Sequence, residues 1–257
     1  MPRFLLTPRW ILLFLFAVLV AGVCVRLGIW QLDRLDERRA YNAEVTSGLG
    51  QPSATAEDLF AHADEEPEAL AYRRAEATGS YDTSHEVLLY GRALEGEPGN
   101  HVLTQLVLSR GGVLLVDRGW VPIELDTPPV AEAAPPGGTV TVTGVLQPGA
   151  EGGSAVVERD PSGRLLTVRE VDLGHLSDEI GSELEPLFLL LETQSPPQPG
   201  ALPRPAPLPE LTEGQHLSYA IQWFTFAAIA LVGFAALVRR ESRDRTRAAG
   251  RPDPASA

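Results

Sequence analysis

The amino-acid sequence predicts a membrane protein of the α+β class. Two transmembrane helices bracket an extracytoplasmic, mainly antiparallel β-domain, barrel- or sandwich-like, with one or two short helices. An uncharged run of 22 residues over 217–238 would cover about 33 Å as a helix and cross a bilayer. A shorter uncharged run over 10–25 follows a basic start. Between the two runs, β-branched and apolar segments alternate with glycine and proline, as in strands and turns.

The N-terminal run is interpreted as a retained transmembrane helix, although a cleaved signal peptide would look similar. Trp10 and Trp30 lie 20 residues apart, which is about 30 Å along a helix, so each would occupy one interface of the bilayer. The charged residues that follow Trp30 still favour a helix. The helix is therefore expected to project beyond the membrane as a stalk.

Arginine counts predict the orientation, because cytoplasmic flanks are enriched in basic residues. Six arginines and three acidic residues follow position 238, so the C-terminus is predicted to be cytoplasmic, and two spans place the N-terminus on the same side of a bacterial cell membrane. The predicted organisation is a cytoplasmic N-terminus (1–9), a first span (10–32), a stalk and linker (33–70), an extracytoplasmic β-rich domain (71–193), a proline-rich strap (194–215), a second span (216–238) and a cytoplasmic tail (239–257).

Seven strands are predicted from β-branched and apolar runs, over 73–81, 86–91, 101–109, 113–120, 139–146, 165–170 and 186–193. Arg110-Gly111-Gly112 predicts a hairpin turn, and strict alternation over 139–143 predicts one buried face. Helices are predicted over 172–180 and, with Thr55 as N-cap, over 55–63. The segment over 126–138 is expected to be a flexible surface loop, and the segment over 195–209 an extended strap.

Composition and charge exclude several classes of function. The net charge of −13 argues against nucleic acid as a partner, since phosphate binding needs a basic face. A single cysteine, Cys24, provides neither a disulfide framework nor a CxxC metal pair. The five histidines have no spacing typical of a zinc site, and no G-x-S-x-G nucleophile motif is present. The sequence therefore predicts no metal site and no catalytic residues.

The start of the second span carries an unusual set of polar and aromatic residues. His216, Tyr219, Ala220, Trp223 and Ala227 fall on one face of a helix. One interpretation is a belt at the membrane interface. The other is a working surface, on which His216 is an axial ligand to a haem iron or contacts a partner helix.

Arg26 lies one helical turn inside Trp30, about 6 Å deeper in the bilayer. Its side chain could extend to the lipid headgroups. Alternatively, Arg26 could face His216 across the two spans and contact a haem propionate while the histidine binds the iron.

Six motifs, in order along the chain, resemble those of the surfeit locus protein 1 family of cytochrome c oxidase assembly factors. They are Gly28-Ile29-Trp30-Gln31-Leu32-Asp33-Arg34, Thr78-Gly79-Ser80-Tyr81, the run GEPGNHVLTQL over 96–106, Val116-Asp117-Arg118-Gly119-Trp120-Val121-Pro122, Val142-Thr143-Gly144-Val145-Leu146 and the run HLSYAIQWF over 216–224. The resemblance covers the chain from the first span to the second.

The resemblance implies a non-catalytic factor that helps to build haem-copper cytochrome c oxidase by handling haem a. It implies His216 as the haem ligand, the oxidase catalytic subunit and haem a synthase as partners, and as motif residues Gly28, Trp30, Gln31, Arg118, Gly119, Trp120, Tyr219 and Trp223. Gly119 is expected at a turn or a bulge, and Arg118 and Trp120 either pack within the domain or form an exposed partner surface. The alternatives are a scaffold that binds an oxidase subunit without contacting haem and a membrane-tethered hydrolase, for which no nucleophile presents itself.

Overall fold

The computed structural model describes residues 3–61, 67–150, 152 and 156–249. The chain forms two compact units, a helical unit from 1–42 and 211–257 and a β unit from 43–210. The predicted helix over 55–63 and the predicted tail over 239–257 extend past the described ranges, and residues 62–63 and 250–257 lie outside them.

The α-helices are α1 (Pro8–Leu49), α2 (Ala56–Phe60), α3 (Leu173–Ile180) and α4 (His216–Ala249). Short 3-10 helices cover Arg3–Leu6, Pro67–Leu70 and Ala131–Ala133. The strands are β1 (Ala54–Thr55), β2 (Arg74–Leu94), β3 (Glu97–Leu108), β4 (Val113–Pro122), β5 (Thr139–Pro148), β6 (Val156–Arg159), β7 (Leu165–Val168) and β8 (Leu187–Ser195).

The helical unit pairs α1 with α4, and both helices have the length and composition to cross a membrane. The pairing is antiparallel, since the ring of Trp10 lies 6.3 Å from that of Phe234 while Cys24 packs near Ala227. Small residues at such contacts let membrane helices approach closely. Large apolar side chains elsewhere remain exposed, for example 68% of Val232. The prediction of two long apolar helices is confirmed, and both continue as helix beyond the predicted span ends at 32 and 238.

Five strands of the β unit close into a barrel. Strand β2 pairs with both β3 and β5, and β4 and β8 complete the circuit. Every pairing in this circuit is antiparallel except that of β4 with β8. The C-terminal half of β2 also pairs with β7, which carries β6 at its outer edge. The prediction of a mainly antiparallel, barrel-like domain is confirmed.

The barrel core follows the alternation seen in the sequence. In β5, Val140 and Val142 are buried while Thr139 is exposed. They join fully buried leucines such as Leu106 and Leu189 in one cluster. Each such leucine contributes about 1.5–3 kcal/mol to folding, so this cluster is the main source of the unit's stability.

The two strands predicted over 73–81 and 86–91 are wrong as separate elements, because both lie in β2. The polar residues between them lie at a register shift between Asp82 and Val87, where β2 bulges against β3 instead of turning. A bulge keeps the chain extended and bends the strand around the barrel. The short strand β6 follows a glycine-rich segment and was not predicted.

The segment over 126–138, predicted as a flexible surface loop, is a loop with mostly exposed residues, but it is anchored to the barrel by buried ones. Val130 and Ala133 in this segment are buried against Leu88, Val102 and Val121 of the barrel. The proline and glycine content indicated a loop but carried no information about its burial, since the apolar surface it covers belongs to distant strands.

The predicted N-cap at Thr55 is confirmed, and the second short helix has an N-cap of the same kind. Thr55 accepts a hydrogen bond from the N–H of Asp58 at the start of α2, and Asp172 accepts one from the N–H of His175 at the start of α3. Helix α3 ends at Ile180 and is followed by Gly181, which adopts a left-handed conformation with φ of 71°, as glycine commonly does after a helix.

Candidate functional site

His216, the first residue of α4, forms a hydrogen bond with Gln31 of α1. Its Nδ1 atom lies 2.9 Å from Gln31 Oε1. Because an amide oxygen can only accept, Nδ1 donates, and the neutral ring then keeps a lone pair on Nε2. Within the described ranges, Nε2 has no hydrogen-bond partner. An imidazole held in this tautomer presents the atom that binds a metal or a haem iron.

The segment before His216 is held by two arginines of α1. Arg39 donates to both carboxylate oxygens of Glu213 at 2.8 and 3.0 Å, and Arg38 donates to the carbonyl of Thr212 at 3.0 Å. The side chains of Arg39 and Glu213 are each 50% exposed, so their ion pair adds little to stability. Its effect is to fix where the chain enters α4.

The predicted face of α4 divides between two environments. Ala220 and Ala227 are buried in the helical unit, and Trp223 packs against the cluster of Ala227 and Cys24. Tyr219 is 47% exposed. The structure therefore brings His216, Ala220, Trp223 and Ala227 toward α1 and leaves Tyr219 at the surface.

Among the predicted α1 residues, Gln31 is the one that contacts His216. Arg26 is exposed and lies five residues before Gln31, about 7.5 Å deeper along the helix. A contact between Arg26 and a propionate therefore stays a prediction. Trp30 is 44% exposed, with the Arg34 guanidinium 5.9 Å from its ring.

Gly28 of α1 lies directly against Phe224 of α4. A Cβ atom at this position would lie 2.7 Å from the ring of Phe224, which is too short for any real contact. The glycine of the first motif thus accommodates the phenylalanine of the last.

Gly119 lies in a bulge of β4, as predicted. Arg118 and Gly119 together stand opposite Val102 of β3, and the N–H of Gly119 donates to Asp117 Oδ1 at 3.0 Å. Gly119 has φ of 116°, a conformation that side chains disfavour. A Cβ atom there would also collide with the carbonyl of Arg204. Both the backbone and the space require glycine.

Arg118 is buried, and its side chain is fully inaccessible to solvent. Its guanidinium lies 3.5 Å from Glu86 and from the Thr104 hydroxyl, and donates to the carbonyl of Ala133 at 2.5 Å and to Gln198 Oε1 at 3.1 Å. Through Ala133 and Gln198, one side chain connects the 126–138 segment and the strap to the barrel.

Glu86 is the buried carboxyl group of this network. Burial raises the pKa of its carboxyl, against the hydrogen bond from the Val130 N–H, the charge of Arg118 and the hydrogen bond from Thr104. Burial likewise raises the pKa of the neighbouring Tyr81 to about 12, against the Arg118 charge. Tyr81 therefore stays neutral at physiological pH, and the Glu86 carboxyl is the acidic group next to the Arg118 guanidinium.

Trp120 fixes the strap by its backbone and by its ring. Its N–H and carbonyl exchange hydrogen bonds with Arg204 at 2.7 and 2.8 Å, and the Arg204 guanidinium lies 4.2 Å from the ring centre. Arg204 also forms an ion pair with Glu97 at 2.7 Å. Of the two alternatives for Arg118 and Trp120, packing within the domain is the one that the structure shows, since both residues are buried.

Sequence reasoning missed the partners of these motif residues. Glu86, Thr104, Tyr81 and Gln198 converge on Arg118 from separations of 14 to 80 residues. The sequence held one signal for a buried ion pair, because Glu86 begins an apolar run in a strand. The signal is weak, since an alternating strand often exposes such a residue. Among the described residues, no group of three or more histidine, cysteine, aspartate and glutamate side chains could hold a metal ion.

Comparison with known proteins gives a consistent family match. The model of the SURF1 family matches residues 18–228. A SURF1-like protein of Mycobacterium bovis is 32% identical over 99% of this chain and 93% of its own length. A SURF1-like protein of Rickettsia felis is 24% identical over 88% of this chain and 96% of its own length, and one of Monosiga brevicollis is 28% identical over 86% and 85%, respectively.

Proposed function

Since this chain belongs to the SURF1 family, which is generally linked to cytochrome c oxidase assembly, we propose that it is a membrane-anchored assembly factor that handles haem a. It would assist the delivery of haem a to the catalytic subunit of a haem-copper oxidase, or its insertion there. Haem a is the cargo, and the factor is not itself an enzyme. The observation that supports this proposal is the His216–Gln31 pair, which holds an imidazole with a free Nε2 lone pair.

The surroundings of His216 suit an iron ligand. A Cβ atom on Gly214 would lie 3.6 Å from Nε2, so the glycine leaves the approach to that atom open. The ring is partly exposed, and Tyr219 follows it by one turn at the surface. Trp223 and Arg26 are proposed as a ring contact and a propionate contact of the bound porphyrin. Iron ligation by a neutral imidazole is the chemistry this set of residues supports.

The arginine pattern supports a location in a bacterial cell membrane with both termini in the cytoplasm and the β unit outside. In that orientation His216 lies near the outer interface. The proposed partners are the oxidase catalytic subunit as acceptor and haem a synthase as donor.

Replacing His216 with alanine is expected to abolish haem retention, because the iron loses its protein ligand. The test is the reduced-minus-oxidised spectrum of the full chain, purified in mild detergent from cells that make haem a. The a-type signal should be absent from His216→Ala and present in His175→Ala, which removes a histidine from the β unit. Added imidazole should restore part of the signal by occupying the vacated ligand position.

Two outcomes would contradict the proposal. Retention of the a-type signal by His216→Ala would exclude His216 as the ligand. Normal oxidase turnover in cells whose only copy carries His216→Ala would favour the scaffold function, in which an oxidase subunit is bound without contact to haem.

Replacing Gln31 with leucine is expected to weaken haem binding about 10–100-fold. The leucine removes the acceptor that fixes the Nδ1–H tautomer. The ring can then carry its proton on Nε2, and the lone pair that binds the iron is no longer held on that atom. Gln31→Glu should keep the acceptor, make the imidazole more basic and lower the reduction potential of the bound haem.

Haem titration of the unmodified chain, Gln31→Leu and Gln31→Glu, followed in the Soret band, tests this role. Gln222→Leu, a change at an exposed glutamine of α4, is the control and should bind like the unmodified chain. Equal affinities for Gln31→Leu and Gln222→Leu would show that Gln31 does not position the ligand.

A further inference from the structure

We propose that the helical unit binds an anionic phospholipid at the end where α4 carries its arginines. The inference rests on a basic cavity and an apolar groove that share two residues, and it is independent of the proposed function. Neither haem nor an oxidase subunit enters the argument.

The basic cavity has a volume of 680 Å³, and its lining combines four arginines and one acidic residue with apolar residues such as Val232: Arg239, Arg240, Arg243, Arg247 and Asp244. Residues spaced by four lie on one face of a helix, so Arg239, Arg243 and Arg247 form a stripe. The stripe is about 12 Å long, which matches a phospholipid headgroup better than a single small anion.

The three arginines of the stripe lack acidic partners that would neutralise their charge. In the described part of the chain, Arg239, Arg243 and Arg247 form no ion pair, whereas Arg245 on the opposite face is bonded to Glu241 at 2.8 Å. Arg240 has a distant partner, Asp244, at 3.9 Å. The stripe therefore presents uncompensated positive charge next to an apolar surface, the combination that attracts anionic lipid headgroups.

The apolar groove adjoins the basic cavity directly. It has a volume of 590 Å³, its lining includes Trp10, Phe14 and Phe234, and it shares Ala235 and Arg239 with the basic cavity. The Phe234 ring lies 5.6 Å from Phe14, so aromatic rings form one wall. A lipid phosphate on Arg239 would place an acyl chain along this wall, and a soluble anion would leave it unused.

Lipid titration of the full chain in nonionic detergent, read by native mass spectrometry, tests the site. Phosphatidylglycerol and cardiolipin should bind more tightly than phosphatidylcholine. Arg243→Gln should weaken anionic lipid binding about fivefold, and the Arg239→Gln/Arg243→Gln/Arg247→Gln variant on the order of a hundredfold. Arg245→Gln removes the same single charge from the opposite face and should change binding less than twofold.

Two further arms separate a lipid site from a site for anions alone. Phe14→Ala removes part of the aromatic wall of the groove, lies outside the lining of the basic cavity and keeps every arginine. It should weaken lipid binding without affecting the binding of glycerol phosphate. Equal weakening by Arg243→Gln and Arg245→Gln would overturn the proposal, since it would mean a general charge effect. Competition by glycerol phosphate at the same concentration as the lipid, or no preference over phosphatidylcholine, would also overturn it.

Discussion

Replacing Arg118 with methionine is expected to destabilise the β unit by about 3–5 kcal/mol. The substitution leaves Glu86 buried without a counter-charge and removes the donors to Ala133 and Gln198. The free energy of unfolding of the full chain, measured by denaturant titration in mild detergent, tests this expectation.

The ion pair between Arg74 and Glu192 provides a matched control. Its geometry is better, with the closest atoms at 3.1 Å against 3.5 Å for Arg118 and Glu86, but its side chains are 39% and 27% exposed. Solvent screens such a pair, and Arg74→Met should cost at most about 1 kcal/mol. Equal costs for the two variants would show that burial does not determine the strength of the Arg118 network.

The decrease in the free energy of unfolding caused by Arg118→Met should depend on pH. Burial already raises the pKa of Glu86 in the folded chain, and removal of the Arg118 charge raises it further. A carboxyl with a raised folded pKa contributes most to stability below its unfolded pKa, and this contribution is lost as pH rises through the folded pKa. The cost of Arg118→Met should therefore be smaller near about pH 4.5 than near about pH 8.

A double variant separates the buried charge from the lost packing. Glu86→Gln in the Arg118→Met background removes the uncompensated carboxylate, and should recover part of the stability and abolish the pH dependence. If Arg118→Met alone has the same cost at both pH values, the ionised carboxylate of Glu86 is not the source of the effect.

The sequence predicted those features that depend on local patterns. The uncharged runs marked α1 and α4, and the alternation in β5 marked its buried face. The cap at Thr55 marked the start of α2, and the apolar side of the segment over 172–180 marked α3. These signals lie within one element, because helix and strand periodicity and capping are properties of neighbouring residues.

The features that the sequence did not predict depend on distant partners. His216 and Gln31 are 185 residues apart, and their hydrogen bond decides which ring nitrogen is free. The burial of Arg118 depends on Glu86, and the burial of the 126–138 segment depends on Val102 and Val121 across the barrel. The sequence around such a side chain does not show whether a distant residue will contact it in the folded chain.

The Arg118-Gly119-Trp120 motif illustrates the difference. The sequence indicated a bulge at the glycine and left the other two residues between packing and a partner surface. In the structure, all three act on the strap: Arg118 donates to Gln198, Gly119 makes room for the carbonyl of Arg204, and Trp120 pairs with the backbone of Arg204. We call these three residues the clasp, because together they hold the strap against the barrel.

Replacing Gly119 with alanine is expected to separate the strap from this clasp and to lower the free energy of unfolding of the β unit by about 3 kcal/mol or more. A side chain at φ of 116° is strained by about 1–3 kcal/mol. The new methyl group also collides with the Arg204 carbonyl, which must move away and break the two backbone hydrogen bonds to Trp120, each worth about 1 kcal/mol.

Gly111→Ala distinguishes backbone strain from the collision. Gly111 has φ of 100° and open space around its missing Cβ atom, so its replacement carries similar strain without a clash. Gly119→Ala should therefore cost about 2 kcal/mol more than Gly111→Ala, and only Gly119→Ala should accelerate hydrogen exchange at the amides of Trp120 and Arg204. If both variants have the same cost and leave exchange at Arg204 slow, the collision is relieved without moving the strap, and the glycine serves the bulge alone.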